Sequence, residues 1–324
     1  MRDANPGATF LKDYRAPDFL INRTELHFEL GEDHTLVTSR LHLLHSAGQT
    51  GDALILHGQD LDLQSVSIDG ESLASTCYEV TDDELRIHSV PEQFVLSCVT
   101  RLRPQQNTTL EGLYKSHSMF CTQCEAEGFR KITYYLDRPD VMSVFTVTMI
   151  ADPQRYPVLL SNGNLLEQST LADGRQQAVW HDPFTKPSYL FALVAGDLSH
   201  IEDRFRNCSG LDVTLRIYVE EKDIGKCDYA MEALKRSMRW DEQVFGREYD
   251  LDIFNVVAVD DFNMGAMENK SLNIFNTSCV LCDPDITTDT GYRRVEAIVA
   301  HEYFHNWSGN RVTCRDWFQL SLKE

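Results

Sequence analysis

The sequence contains no apolar run long enough to cross a membrane, and no apolar stretch of signal-peptide length follows its N-terminus. A membrane-spanning helix needs about 20 consecutive apolar residues, whereas the longest apolar runs here, such as residues 191–195, have the length of a strand. A secretory signal would need an apolar region of about 7 to 15 residues near the start. We therefore expect a cytoplasmic protein without a membrane partner.

Basic residues are scarce relative to acidic ones. Lys and Arg together number 30, against 50 Asp and Glu, which gives a formal net charge of −20. Binding to a nucleic-acid backbone requires a net basic face, so we expect no nucleic-acid partner. Long Pro, Gly or Ser tracts are also missing, and 10% of the residues are aromatic, which excludes low-complexity disorder.

Cysteine is sparse as well, with nine residues in 324. An odd and dispersed set does not build a disulfide framework, so we expect mostly reduced thiols. Two CxxC pairs, Cys121/Cys124 and Cys279/Cys282, superficially resemble zinc knuckles. Because the segment between them, 125–278, far exceeds the roughly 15 to 20 residues of a zinc ribbon, we interpret both pairs as free thiols.

What is present predicts two domains, as a length of 324 residues suggests. Short segments that alternate apolar and polar residues, separated by turn signals, fill residues 1–197 and predict an antiparallel β saddle or sandwich. Longer helical patterns mixed with strands occupy residues 198–324 and predict the first half of an α+β domain. The expected fold class is therefore a β domain followed by an α/β domain.

Local patterns predict individual strands in the first domain. Residues 26–30 and 36–44 alternate on either side of a turn at 31–33, which predicts a hairpin. Residues 85–88 and 95–102 also alternate, and we predict that they pair with each other across the loop between them.

Two helices are predicted in the second domain. Asp228 is the predicted N-cap of the first helix, which ends at Gly246. Asp289 is the predicted N-cap of the second helix, which continues to Trp307 before Gly309 stops it.

The strongest chemical signal is an HExxH motif at His301, Glu302 and His305. On a helix, residues i and i+4 lie one turn apart on one face, so both imidazoles can bind one metal ion. A glutamate directly after the first histidine lies beside the metal, where it can take a proton from water. The motif therefore predicts a catalytic zinc site.

A third ligand is needed to complete such a site. Glu324 is the next glutamate after His305, and the eighteen residues 306–323 separate the two. Asp316 is a predicted N-cap for a second helix that carries Glu324. A helix, a loop and a returning helix would bring Glu324 back to the histidines.

A second motif lies upstream, in residues 265–269. Small residues at Gly265 and Ala266 allow close approach of a peptide backbone, as strand addition to a sheet edge requires. Glu268 would then offer a carboxylate to a substrate ammonium. From the residues alone, a glycine-containing turn with a solvated glutamate is the favoured interpretation of the segment.

Together, the HExxH motif with its distant glutamate and the GAMEN motif at 265–269 resemble the M1 family of zinc aminopeptidases. Residues 120–130 and 305–317 extend the resemblance, which runs the whole length of the chain. The resemblance implies that the second domain is thermolysin-like. It also implies a metalloaminopeptidase that acts on peptides with a free N-terminus. The same resemblance leads us to expect a monomer.

Site residues follow from the same resemblance. One zinc ion per chain would be bound by His301, His305 and Glu324, and Glu302 would be the general base. Glu125 and Glu268 would hold the α-ammonium of the substrate, and Met264 would border the pocket for its first side chain. The complete implied substrate-binding set is Gln123, Glu125, Met264, Gly265, Ala266, Met267, Glu268 and Asn269.

Two alternatives remain open at this point. An epoxide hydrolase of the same family would use the same site, and a non-catalytic peptide-binding protein would use only its grooves. Family members also carry, downstream of the third zinc ligand, a tyrosine that stabilises the tetrahedral intermediate. Because Glu324 is the last residue of the sequence, the resemblance predicts an N-terminal portion that by itself binds zinc weakly and is inactive.

Overall fold

The computed structural model describes residues 8–48 and 53–324. Most of the regular structure is β. The strands of the described residues are, in chain order, β1 (Phe19–Leu30), β2 (Thr35–His45), β3 (Leu54–His57), β4 (Asp62–Ile68), β5 (Glu71–Ser72), β6 (Tyr78–Val80), β7 (Glu84–Ile87), β8 (Gln93–Leu102), β9 (Gly112–Ser116), β10 (Met119–Gln123), β11 (Met142–Ala151), β12 (Val158–Ser161), β13 (Asn164–Thr170), β14 (Gln176–Pro187), β15 (Leu193–Gly196), β16 (Ser199–Arg206), β17 (Asp212–Val219), β18 (Ile253–Val259), β19 (Ala266–Met267) and β20 (Leu272–Asn276).

In the described residues the α-helices are few and all begin after residue 227, while short 3-10 helices also occur earlier in the chain. The α-helices are α1 (Asp228–Phe245), α2 (Asp289–Phe304) and the short α3 (Leu320–Lys323), which continues a 3-10 turn at Trp317–Gln319. None of the helices in the described ranges is long and apolar enough to cross a membrane.

The N-terminal part is built on an eight-stranded sheet with the order β13-β14-β11-β1-β2-β8-β4-β5. A three-stranded sheet, β3-β7-β6, and a four-stranded sheet, β12-β15-β10-β9, complete it. The predicted hairpin is confirmed as β1 and β2, with Leu26 opposite Ser39. Buried residues alternate with partly exposed ones along both strands, as expected where one face of a sheet packs on a core.

Two pairings differ from the prediction. The strands at 85–88 and 95–102 do not pair with each other: β7 pairs with β3 and β6, while β8 pairs with β2 and β4. Because β7 has only four residues, it could form few hydrogen bonds with β8, whereas β2 pairs with β8 over ten residues. The large sheet is also not wholly antiparallel, because β1 and β11 run parallel. Parallel neighbours need a long crossover, which residues 31–141 provide.

The second part is confirmed as mixed α and β. Its five-stranded sheet has the order β16-β17-β18-β20-β19, in which β17, β18 and β20 are parallel and the outer strands antiparallel. Helices α1 and α2 pack on each other and bury apolar residues such as Met238 and Val299 in a second hydrophobic core. The domain boundary after residue 197 stays a prediction, and β16 begins at Ser199.

Helix ends follow the prediction to within a few residues. Gly246 ends α1 in the left-handed conformation, with a φ of 61°. The predicted N-caps are each one residue late, because Asp228 and Asp289 are the first helical residues, and the side chain that caps α2 is that of Thr288. The second helix also ends earlier than predicted, at Phe304.

Candidate active site

The two histidines of the HExxH motif face each other at the end of α2. His301 lies in the last turn and His305 is the C-cap, and their Nε2 atoms are 3.0 Å apart. The Nδ1 atom of His305 lies 2.7 Å from the carbonyl oxygen of Ser308. A carbonyl can only accept, so Nδ1 carries the hydrogen and Nε2 is left with a lone pair directed toward His301.

Glu324 completes this group from a distant point of the chain. Its Oε2 atom lies 3.4 Å from Nε2 of His301 and 3.6 Å from Nε2 of His305. The predicted cap explains the return, because the side chain of Asp316 accepts a hydrogen bond from the amide of Phe318 at 3.1 Å and starts the turn that leads into α3.

Glu302 lies beside these ligands in a site that disfavours its charge. Its side chain is buried, and its Oε2 atom has no hydrogen-bond partner among the described residues. Burial, followed by the nearby carboxylates of Glu268 and Glu324, raises the pKa of Glu302 to about 9. One oxygen of Glu302 lies within 4.8 Å of ligand atoms of Glu268 and His305.

A primary ammonium group already occupies the space between the two predicted anchors. Nζ of Lys323 lies 2.9 Å from Glu125, contacts Glu268 and lies 2.8 Å from Glu324. Burial, and then the charge of Glu268, raises the pKa of Glu125 to about 7. Burial alone would lower the pKa of Lys323, but the carboxylates of Glu268 and Glu125 raise it.

The segment 265–269 is an edge strand followed by a buried glutamate. Strand β19 lies at the edge of the five-stranded sheet, with Ala266 opposite Phe275. Glu268 is 3% exposed and its carbonyl accepts a hydrogen bond from Nδ2 of Asn310 at 2.8 Å. The reading as a turn with a solvated glutamate is therefore wrong.

The other predicted substrate-binding residues surround these groups. Met264 is half exposed, while Met267 is fully buried in the large core that the N-terminal sheets share with β20. Asn269 is buried with both side-chain polar atoms unpartnered among the described residues. Gln123, at the end of β10, donates from Nε2 to the carbonyl of Glu125 at 3.3 Å.

An apolar cavity adjoins the histidines. It has a volume of about 420 Å³ and is lined by aromatic rings of both helices, including Trp240 and Phe304, as well as by His301 and Glu324. Asp241 lies in its wall, 2% exposed, with neither carboxylate oxygen hydrogen-bonded among the described residues. Burial raises the pKa of Asp241 to about 6.

Sequence reasoning missed Lys323 and Lys270. Lys270, 2% exposed, places Nζ 2.6 Å from Asp250 and 2.7 Å from Oδ1 of Asn306. Lys270 directly follows Asn269 and Lys323 directly precedes Glu324, but nothing in the local sequence distinguishes either lysine from a solvated one. Their buried partners come from remote segments.

Comparison with known proteins agrees with this geometry. The model of the peptidase M1 N-terminal domain matches residues 22–190, and the model of the peptidase family M1 domain matches residues 229–324. Aminopeptidase N of Caulobacter vibrioides is 53% identical over 324 residues, and aminopeptidase N of Escherichia coli is 52% identical over 319 residues.

A solved structure is similar along nearly the whole chain. Aminopeptidase A of Legionella pneumophila, in complex with aspartic acid, superposes with a TM-score of 0.94 at 38% identity and covers 97% of this chain. The chain spans 37% of the Caulobacter and Legionella proteins and 36% of the Escherichia protein. With both domain models matched in order and identity above 50% to two relatives, the chain belongs to the peptidase M1 family.

Proposed function

We propose that this chain carries the site of a zinc-dependent aminopeptidase, which removes the N-terminal residue from peptides with a free N-terminus. The observation that carries the proposal is the position of the Lys323 ammonium. It lies between Glu125 and Glu268, beside a cluster of two histidines and Glu324. The Lys323 side chain therefore shows that a primary ammonium can bind between Glu125 and Glu268, beside the two histidines and Glu324.

The residues fit a zinc ion. Ligand atoms about 2.0 to 2.2 Å from a tetrahedral zinc are about 3.3 to 3.6 Å from each other. The Nε2 and Oε2 atoms of His301, His305 and Glu324 are 3.0, 3.4 and 3.6 Å apart. Three protein ligands leave a fourth position open, as in catalytic sites. Zinc, when bound, would supply a Lewis acid that polarises the scissile carbonyl and makes an attacking water more acidic.

Glu302 is the proposed general base. One of its oxygens lies within 4.8 Å of a ligand atom of His305, where it can accept a proton from the attacking water and pass it to the leaving amine. Zinc bound to His301, His305 and Glu324 would favour the ionised carboxylate that this role requires.

Glu125 and Glu268 are the proposed anchors for the substrate ammonium, which would take the place of the Lys323 ammonium between them. Two carboxylates fixed by separate parts of the fold allow only the first peptide bond to lie over the metal ligands. The Legionella neighbour, whose structure holds aspartic acid, gives an example of an amino acid bound by this fold. The edge strand β19, with Gly265 before it, would pair with the substrate backbone. Gln123, Met264 and Asn269 would complete the walls, while Met267 would contribute only its main chain, because its side chain is buried in the core.

Zinc titration of the chain is the first test. We expect one zinc per chain, about 100-fold weaker binding in His301→Ala and Glu324→Ala, and unchanged stoichiometry in Glu302→Gln. Zinc-loaded chain should bind L-alanine amide and not its N-acetyl derivative, which lacks the ammonium. Absence of zinc binding, or equal binding of the two amides, would refute the proposal.

Turnover is a separate question from binding, because the chain spans only about a third of the length of its relatives. We propose that this chain alone binds zinc and substrate and hydrolyses an alanyl anilide no faster than Glu302→Gln does. Full zinc occupancy together with turnover about 100-fold above that variant would contradict this. The named relatives are aminopeptidases, so the epoxide hydrolase and non-catalytic alternatives are not favoured. Cytoplasmic location and the monomeric state stay predictions.

A further inference from the structure

We propose that Asn310 and Lys270 are positioning residues that fix the ammonium anchor Glu268 relative to the histidine pair. The inference rests on the proposed function, since it concerns how that site keeps a constant distance between the ammonium anchor and the histidines. Neither residue is among the proposed metal ligands, the general base or the substrate anchors, and both join the segment after β19 to the loop after α2.

Asn310 makes the more direct connection. Its side-chain Nδ2 donates to the carbonyl of Glu268 at 2.8 Å, while its main-chain amide donates to the carbonyl of His305 at 2.9 Å. A single residue therefore binds the backbone of the ammonium anchor and the backbone of a histidine ligand. Asn310 is 4% exposed, so water cannot easily replace either hydrogen bond.

Lys270 makes a parallel connection two residues after Glu268. Its Nζ binds Oδ1 of Asn306, the residue after His305, and Asp250. On the other side, its carbonyl accepts a hydrogen bond from Nδ2 of Asn162 at 2.8 Å, which ties the same point to the N-terminal sheets. Buried, charge-assisted bonds of this kind resist displacement.

These bonds bear on which peptide bond is cut. An aminopeptidase site works by a fixed distance between the ammonium anchor and the metal ligands. A displacement of about 1 Å at such a site costs on the order of 100-fold in rate. Bridges that hold the two segments at a constant separation would therefore determine selectivity for a free N-terminus, without contributing to metal ligation.

The test compares metal binding with recognition of the amine. Zinc affinity is measured by competition with a chromophoric chelator, and affinities for L-alanine amide and N-acetyl-L-alanine amide are measured on the zinc-loaded chain. In Asn310→Ala and Lys270→Met we expect zinc affinity within about 3-fold of the wild type, but a loss of about 10-fold or more in the preference for the free amine. Lys270→Arg, which can still donate to Asn306, should restore most of that preference.

Lys186→Met is the matched control. Lys186 is an equally buried lysine that pairs with Asp182 at 3.1 Å and lies over the Phe145 ring. Its loss should lower the melting temperature and leave the amine preference unchanged. Unchanged preference in both test variants, or an equal loss in Lys186→Met, would overturn the inference. Should Lys270→Met not fold, Asn310→Ala decides the question alone, because it removes no charge.

Failure of the inference differs from failure of the proposed function. A wild-type chain that binds no zinc, or that does not distinguish the two amides, refutes the function and the inference with it. A wild-type chain that does both, with variants that behave identically, refutes only the positioning role.

Discussion

Glu302 has surroundings that favour its neutral form in the metal-free chain. Burial and the carboxylates of Glu268 and Glu324 raise its pKa to about 9, so it holds a proton at pH 7. Zinc between His301, His305 and Glu324 would favour the charged form and expel that proton. We predict that zinc binding at pH 7 releases about one proton more from the wild type than from Glu302→Gln.

Calorimetric zinc titrations in buffers of different ionisation enthalpy measure this proton count. Glu302→Gln is the matched control, since it keeps the shape of the side chain but cannot titrate. Equal proton release by both chains would show that Glu302 is already ionised before the metal binds.

Asp241 is predicted to destabilise the chain at neutral pH. Its folded-state pKa is raised from 3.8 to about 6 because it is buried without a partner. A raised carboxyl pKa means that stability is greatest below pH 3.8 and falls as the pH rises toward 6. Asp241→Asn should therefore raise the melting temperature at pH 8, by about 2 to 4 °C for a gain of about 1 kcal/mol.

Thermal melts at pH 8 and at pH 4 separate this effect from others. At pH 4 the substitution should change little, because most of the wild-type side chain is already neutral. Asp212→Asn, at an exposed carboxylate of β17, is the control and should not shift either melt. A gain of the same size at both pH values would mean that the burial of charge is not the cause.

At this scale the sequence predicts local relations well and remote ones poorly. The spacing of His301 and His305 reflects helix geometry, so the proximity of their side chains could be predicted. The predicted cap at Asp316 indicates a second helix that brings Glu324 back to the histidines. Lys323 and Lys270 could not be recognised. Their roles depend on Glu125 and Asn306, residues that the fold brings to them and that no local period reveals.

The 3-10 turn that leads into α3 begins with one side-chain hydrogen bond. Asp316 accepts from the amide of Phe318, and the turn that follows carries Glu324 to the histidines. We predict that Asp316→Ala weakens zinc binding by about 5-fold, because loss of an N-cap costs about 1 kcal/mol and leaves the third ligand less well ordered.

Asp316→Asn is the control for this prediction. Both substitutions remove the ion pair between Asp316 and Arg315, but asparagine still caps a helix. Chelator competition should therefore give near wild-type affinity for Asp316→Asn. If both variants lose zinc equally, the ion pair and not the cap orders the segment.

The positions of strands and helices could be predicted better than the pairing of the strands in the sheets. The strands of the first domain and the end of α1 at Gly246 follow from alternation and turn chemistry, which are local. The partner of β8 cannot be predicted from local sequence. It depends on the number of hydrogen bonds that β8 can form with β2, which lies far away in the sequence. The parallel pairing of β1 with β11 likewise depends on how the residues between them fold.

The two parts of the molecule contact each other at the site. Glu125, two residues after the end of β10, contacts Lys323 of α3, and the hydroxyl of Tyr189 lies 2.7 Å from that of Thr313. The amide of Gly163 donates to the hydroxyl of Ser271 at 2.6 Å. The length of the sequence could suggest two domains, but not that a carboxylate of the first would contact the short helix that leads to Glu324 in the second.

Zinc binding is therefore predicted to stabilise the N-terminal sheets as well as the helices that hold its ligands. Zinc would fix Glu324, and the adjacent Lys323 would transmit the constraint to Glu125. A ligand present at about 100 times its Kd adds about 2.7 kcal/mol to the stability of the unit that it couples. We expect slower hydrogen exchange on zinc addition in residues 301–324 and also in residues 119–125.

Lys323→Met tests the path of this coupling. It leaves His301, His305 and Glu324 in place, so zinc should still slow exchange in residues 301–324. It removes the ammonium that links Glu125 to α3, so the zinc-dependent change in residues 119–125 should be lost, and Lys323→Arg should keep part of it. If zinc slowed exchange in residues 119–125 equally in Lys323→Met, the constraint would have to pass through other contacts, such as those of Tyr189 with the loop after α2.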